Sequence, residues 1–99
     1  MLLKERTYAH HDPISCRYSV DLGGGDEAFL EYEMRDDLMH ITYTEVPTHL
    51  RGQGLGRILM EACLESIENE GYSIVPICNF VVVYLVRHPQ WSHLVVSRR

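Results

Sequence analysis

The sequence predicts an α/β domain: an antiparallel meander of three strands, then a helix, then a fourth strand parallel to the third. Three observations carry this reading. Apolar and polar residues alternate with period two from residue 14 to residue 46, interrupted by Gly23-Gly24-Gly25-Asp26 and by Asp36-Asp37, which mark short hairpin turns. The pattern then changes to helical spacing at Leu55, Ile58, Leu59, Ala62, Cys63, Ser66 and Ile67. A strand–helix–strand unit crosses over right-handed, which lays the strand after the helix parallel to the strand before it.

Residues 1–13 show no period and are read as an irregular amino terminus. The first predicted strand places Ile14, Cys16, Tyr18, Val20 and Leu22 on a buried face. The second places Ala28, Leu30, Tyr32 and Met34 on one face and Glu31, Glu33 and Arg35 on the other. The third runs from about Met39 to Val46 and stops at Pro47, with Glu45 on the same side as Met39, Ile41 and Tyr43 by strand parity. The amphipathic helix buries Cys63 and ends at Gly71, a favoured residue just past a helix end. Tyr72 to Cys78 forms the fourth strand, where Pro76 marks either a gap in the ladder or a short edge strand. The run from Phe80 to Val86 is ambiguous. Its β-branched residues favour a buried strand. Its flanks favour a helix, with Asn79 as N-cap, Arg87 and His88 in the last turn and Pro89 as the stop.

Length and composition narrow the function classes. The chain has 99 residues, of which 45% are hydrophobic and 23% charged, typical of one globular domain spanning residues 1–99. The run from Phe80 to Val86 is far shorter than the roughly 20 residues needed to cross a bilayer. The amino terminus MLLKERTYAHHDP carries charges where a secretion signal needs an apolar core. Formal charge is −5, with 4 basic and 10 acidic side chains up to residue 50 and 5 and 4 beyond it. This balance argues against nucleic acid as a partner, and admits a basic acceptor near the first half and an anionic ligand near the second. Cys16, Cys63 and Cys78 give an odd count with no CxxC, which predicts neither a disulfide framework nor structural zinc and fits a reducing, cytoplasmic setting. His10-His11-Asp12 is a weak metal motif, and no metal is expected.

The chemistry concentrates in Arg51-Gly52-Gln53-Gly54-Leu55-Gly56-Arg57, between the third strand and the long helix. Glycines let backbone approach a ligand closely, and the first N–H groups of a helix have no internal acceptor. Together with the helix dipole and the two arginines, such a loop binds phosphate or pyrophosphate. It is not a Walker loop, which needs Gly-Lys-Ser/Thr. Nor is it the dinucleotide fingerprint, because its spacing is GxGxG and it follows a meander.

Arg51-x-x-Gly54-x-Gly56 between strand and helix resembles the acetyl-CoA pyrophosphate motif of the GNAT acetyltransferase superfamily. Thr44-Glu45-Val46-Pro47, Leu50 to Gly56, Pro76-x-Cys78-x-Phe80-Val81 and Tyr84-x-x-x-His88-Pro89, in that order, look like the small single-domain GNAT-like proteins. The resemblance extends from about Arg17 to Leu94. It implies a helix over Phe80 to Arg87 and a trimmed GNAT core of order β-β-β-α-β-α. It also implies acetyl-CoA as co-substrate, the pyrophosphate held by Arg51, Gly52, Gln53, Gly54, Leu55, Gly56 and Arg57, the pantetheine arm oriented by strand-end backbone around Thr44 to Val46, and Asn79 as a further cofactor-binding residue. Larger members have two helices after the first strand and a closing pair of strands that shape the acceptor pocket. Here Leu22 to Ala28 is only a turn, and few residues follow Pro89.

Three residues are candidates for catalysis. Glu45, at the margin of an apolar face, suits a general base for an ammonium acceptor, or is a solvated strand end. Cys78, before the last helix, suits an acetyl carrier or a gate for the thioester, or is a packed side chain. Tyr84 matches in segment the tyrosine that protonates the departing CoA thiolate in GNAT enzymes, or is a packed aromatic. The expected function is acetyl transfer from acetyl-CoA to an amine, such as a basic peptide or protein, by direct attack on the thioester. The alternative is a CoA-binding or acyl-CoA-binding module with little catalysis, which the missing acceptor walls favour.

Overall fold

A computed structural model describes residues 7–96. Its elements run β1 (His10–Asp12), β2 (Arg17–Gly23), β3 (Asp26–Arg35), β4 (Leu38–Glu45), α1 (Leu55–Asn69), β5 (Ser73–Pro76) and α2 (Asn79–Arg87). Short 3₁₀ segments cover Thr48–Leu50 and Pro89–Leu94. The described strands form one sheet in the order β1-β2-β3-β4-β5, antiparallel except for the parallel pair β4–β5. The meander, the crossover and the parallel last strand therefore stand as the residues predict. The ambiguous run is helical, because Val81, Tyr84 and Leu85 recur at helical spacing and all three are buried in the core.

The amino terminus departs from expectation. Residues 1–6 lie outside the described residues, but His10–Asp12, inside the segment read as irregular, is a strand paired with Arg17–Ser19. Three residues are too few for a period to show. The first predicted strand also starts late. The Asp12 carboxylate accepts from the N–H groups of Ile14 and Ser15 at 3.1 and 3.4 Å, which bends the chain into a turn in place of a ladder. Ile14 is consequently 95% exposed, and Cys16 turns at φ 57° and only partly packs against the core.

The second departure is in β4. Tyr32 pairs with Ile41, but Glu31 pairs with Tyr43, so one extra residue, Thr42, is inserted on the β4 side. A bulge of this kind reverses parity beyond it. Tyr43 and Glu45 are therefore not on the face of Met39 and Ile41, as strict alternation predicts. They share the opposite face with Glu31 and Phe29, and Thr44 takes the core-facing side opposite Leu30.

The core lies between one sheet face and the two helices. Tyr18, Val20, Ala28, Leu30, Tyr32, Met39 and Ile41 meet Leu59, Met60, Cys63, Leu64 and Ile67 of α1 and Val81, Tyr84 and Leu85 of α2. The opposite sheet face carries Arg17, which pairs with Glu31 at 2.9 Å and lies 3.8 Å over the Phe29 ring. Gly71 closes α1: its N–H reaches Glu68 O and that of Tyr72 reaches Ile67 O, satisfying terminal carbonyls. Among the described residues no helix is long and apolar enough to cross a membrane.

Candidate active site

Pro47 ends β4, one 3₁₀ turn follows, and the chain enters α1 through Arg51–Gly54. Gly54 is the helix N-cap with φ 76°, a left-handed conformation that glycine adopts without a steric cost. The first hydrogen bond of α1 runs from Ile58 N–H to Gly54 O. The N–H groups of Leu55, Gly56 and Arg57 thus have no acceptor within the helix. A cavity of about 340 Å³ opens beside this turn, lined by Thr44, Val46, Leu50, Arg51, Gly52, Gly54, Leu55, Gly56, Leu59 and Phe80. Arg51 lies at its edge, with Nε 3.5 Å from Val46 O.

Gly56 is glycine for a different reason from Gly54. Its φ is not left-handed, and glycine inside a helix costs roughly 0.5–1 kcal/mol relative to alanine. The reason is space: a Cβ there would sit 2.8 Å from Phe80 Cζ. The same pairing aligns the helices. Phe80 meets Gly56 and, one turn further along both, Tyr84 meets Glu61. The two helices thus run side by side in the same direction, with both amino termini at the cavity end. The first hydrogen bond of α2, Val82 N–H to Cys78 O, likewise leaves its first N–H groups without an internal acceptor.

Cys78 is held where the strands part. Pairing of β4 with β5 stops at Ile41 and Pro76, although β4 continues to Glu45. Ile41 O accepts from both Ile77 and Cys78 N–H, at 3.0 and 2.9 Å, and Cys78 Sγ lies 3.6 Å from Thr44 Oγ1. Pro76 therefore sits at the edge of the described sheet and at the end of the ladder at once, so its missing N–H leaves no gap in the pairing.

None of the three catalytic candidates lines the cavity, although Cys78 lies against Thr44, which does. Glu45 is exposed on the opposite sheet face, where Tyr43 donates its hydroxyl hydrogen to Glu45 Oε1 at 2.6 Å. Tyr84 is buried and donates its hydroxyl hydrogen to Glu61 Oε2, which also accepts from Trp91 Nε1 at 3.3 Å. Burial first, and then this bond to Glu61, holds the Tyr84 hydroxyl protonated well above the usual tyrosine range. Its ring stacks on His88 at 3.9 Å. Glu61 lines a second cavity of about 320 Å³ with Thr7, Arg57, Ile58, Ala62, Glu65 and Trp91.

Residues 17–94 match the family model of the GCN5-related N-acetyltransferases. The chain belongs to this family. It is 30% identical over 86 residues to the protein NATD1 of Mus musculus, covering 85% of this chain and 78% of that protein. Its fold is also similar to that of a GCN5-like protein of Staphylococcus aureus solved in solution by NMR. That match has a TM-score of 0.67 at 17% identity and covers 97% of this chain and 94% of the other.

In this GNAT chain the cavity gathers most of the residues the sequence proposes for CoA: Thr44, Val46, Arg51, Gly52, Gly54, Leu55 and Gly56. Gln53 belongs to the same loop but is not among the lining residues, and Arg57 lines the second cavity. Asn79 opens α2 but is not a lining residue either; its neighbour Phe80 is. Sequence reasoning missed Leu50, Leu59 and Phe80. The first lies beside the motif, whereas the other two belong to apolar patterns that read as core. The His10-His11-Asp12 side chains do not converge. His11 bonds Tyr32 and Glu70, whereas Asp12 caps the following turn. Among the described residues no group of three or more metal-ligating side chains assembles.

Proposed function

We propose that this GNAT-family chain transfers acetyl from acetyl-CoA to an amine by direct attack on the thioester. The observation that carries the reading is the cavity at the amino end of α1, where unpaired N–H groups, Gly54 in its left-handed turn and Arg51 border the outer end of β4. Open amides and a positive helix terminus favour a pyrophosphate there, and the second helix terminus at the same end adds to that field. Thr44 and Val46 would orient the pantetheine arm along β4, toward Cys78 and the parting strands.

The amine would approach from the opposite sheet face, on which Glu45 and Glu31 lie. The bulge at Thr42 supports this division: it turns Thr44 to the cavity and Glu45 to the acceptor side. Glu45 would take a proton from the acceptor ammonium, freeing the lone pair that attacks the thioester carbonyl; the C–N bond then forms, the C–S bond breaks and the proton left on the nitrogen passes to solvent. Positioning the two reactants would supply much of the remaining acceleration. With the Tyr84 hydroxyl committed to Glu61, the leaving thiolate would take its proton from solvent at the cavity mouth, and Tyr84 would hold α2 against α1.

A specific observation favours a second reading. Neither Glu45 nor the Tyr84 hydroxyl borders the cavity, which suits a module that binds CoA or acyl-CoA without turning it over. The deciding experiment is calorimetry with CoA followed by a mass-spectrometric screen of peptides, polyamines and small amines with acetyl-CoA. Binding with transfer supports the enzyme. Binding without transfer to any amine supports the module. No binding at millimolar CoA ends both.

A further inference from the structure

We propose that Phe80 is the apolar bed for the pantetheine arm of the co-substrate, and that Gly56 is glycine so that the Phe80 ring can reach that position; this rests on the acetyl-CoA reading above. The tip of the ring lies on the first turn of α1, with Cζ 2.8 Å, Cε1 3.4 Å and Cε2 3.7 Å from where a Gly56 Cβ would stand. The ring also lines the cavity beside Thr44, Leu55 and Leu59. It remains 44% exposed, unlike the core residues Val81, Tyr84 and Leu85 on the same helix. Phe80 stands two residues from Cys78, which marks the parting of the strands, and touches the turn whose amides are open. It thus bridges the two points between which a pantetheine arm would stretch. That arm is a chain of methylenes, a dimethyl carbon and two amides, so an aromatic surface beneath it would remove apolar area from water on binding.

The arm can be tested separately from the nucleotide. Native protein, Phe80→Leu and Phe80→Ala are titrated with CoA and with adenosine 3′,5′-bisphosphate, which keeps the nucleoside, the 3′-phosphate and the first 5′-phosphate but lacks the second 5′-phosphate and the pantetheine. Phe80→Ala should weaken CoA about tenfold, with the bisphosphate changing less than twofold, and Phe80→Leu should recover most of the loss. Phe80→Trp provides a second readout, in which indole emission shifts on saturation with CoA and not with the bisphosphate. Unchanged CoA affinity in Phe80→Ala, equal weakening of both probes, or an indole blind to saturating CoA would each overturn the proposal. If native protein binds neither probe, the acetyl-CoA reading itself has failed.

Discussion

Thr44 and Cys78 face each other where β4 and β5 separate, with Thr44 Oγ1 3.6 Å from Cys78 Sγ. A hydroxyl is a poor base for a thiol, and among the described residues no histidine or carboxylate hydrogen-bonds this sulfur. Cys78→Ala should therefore keep most acetyl transfer and lose about 1–2 kcal/mol of stability from packing. Intact mass after incubation with acetyl-CoA alone should show no adduct. A stoichiometric acetyl group on Cys78 that chases onto an amine would make the cysteine the nucleophile.

The two helix-start glycines should respond differently to substitution. Gly54 has open space around it but φ 76°, so Gly54→Val pays in backbone conformation and distorts the turn. It should abolish CoA binding by calorimetry while circular dichroism stays native. Gly56→Ala keeps the turn and gains helix propensity, but its methyl must push the Phe80 ring aside. It should weaken CoA binding without a loss of thermal stability above roughly 1 kcal/mol. Native affinity in Gly54→Val would remove the loop from the site.

Glu45→Gln keeps the shape and removes the proton acceptor. A general base contributes ~10²–10⁴-fold, so kcat should fall by that range near neutral pH. The deficit should shrink as pH rises, because the acceptor amine then arrives already deprotonated. Tyr43→Phe, which deletes the hydrogen bond to Glu45, should alter the same profile more mildly. A kcat that Glu45→Gln leaves unchanged from pH 6 to 9 would exclude this residue from the mechanism.

Stability should fall in alkali, and buried tyrosines set the window. Burial chiefly, with nearby negative groups, pushes the Tyr32 hydroxyl up to about 12 from an ordinary 10.0. The folded state therefore holds this proton more tightly than the unfolded state does. Its contribution is complete below pH 10 and disappears as pH rises toward 12, amounting to roughly 2 kcal/mol. Tyr18, buried and bonded to Glu70, and Cys63, pushed up to about 12 by burial, act in the same direction. The urea midpoint should decline steadily above pH 10, and Tyr32→Phe should flatten that decline. A midpoint constant from pH 9 to 12 would contradict the burial of these hydroxyls.

Features whose chemistry is local were legible in the amino-acid order. The meander, the long helix, its glycine terminus and the glycine-rich loop before it each reside in one contiguous stretch, where period, turn residues and glycine spacing are readable without knowledge of the rest. Features that depend on residues far apart in the chain emerged with the folded arrangement. The face on which Glu45 lies depends on a single extra residue, Thr42, and that bulge exists only through pairing with Glu31 and Tyr32. The strand His10–Asp12 exists because Arg17–Ser19 is there to pair with it. The run from Phe80 to Val86 becomes a helix by the residues alone only as one of two options; packing of Val81, Tyr84 and Leu85 into the core favours it over strand propensity. Phe80 reads as core until its ring is found on Gly56, and Tyr84 reads as a proton donor to the thiolate or a packed aromatic until its hydroxyl is found on Glu61. Side-chain partners of this kind are chosen by the close packing of two helices, and no local pattern encodes which atoms that packing brings together.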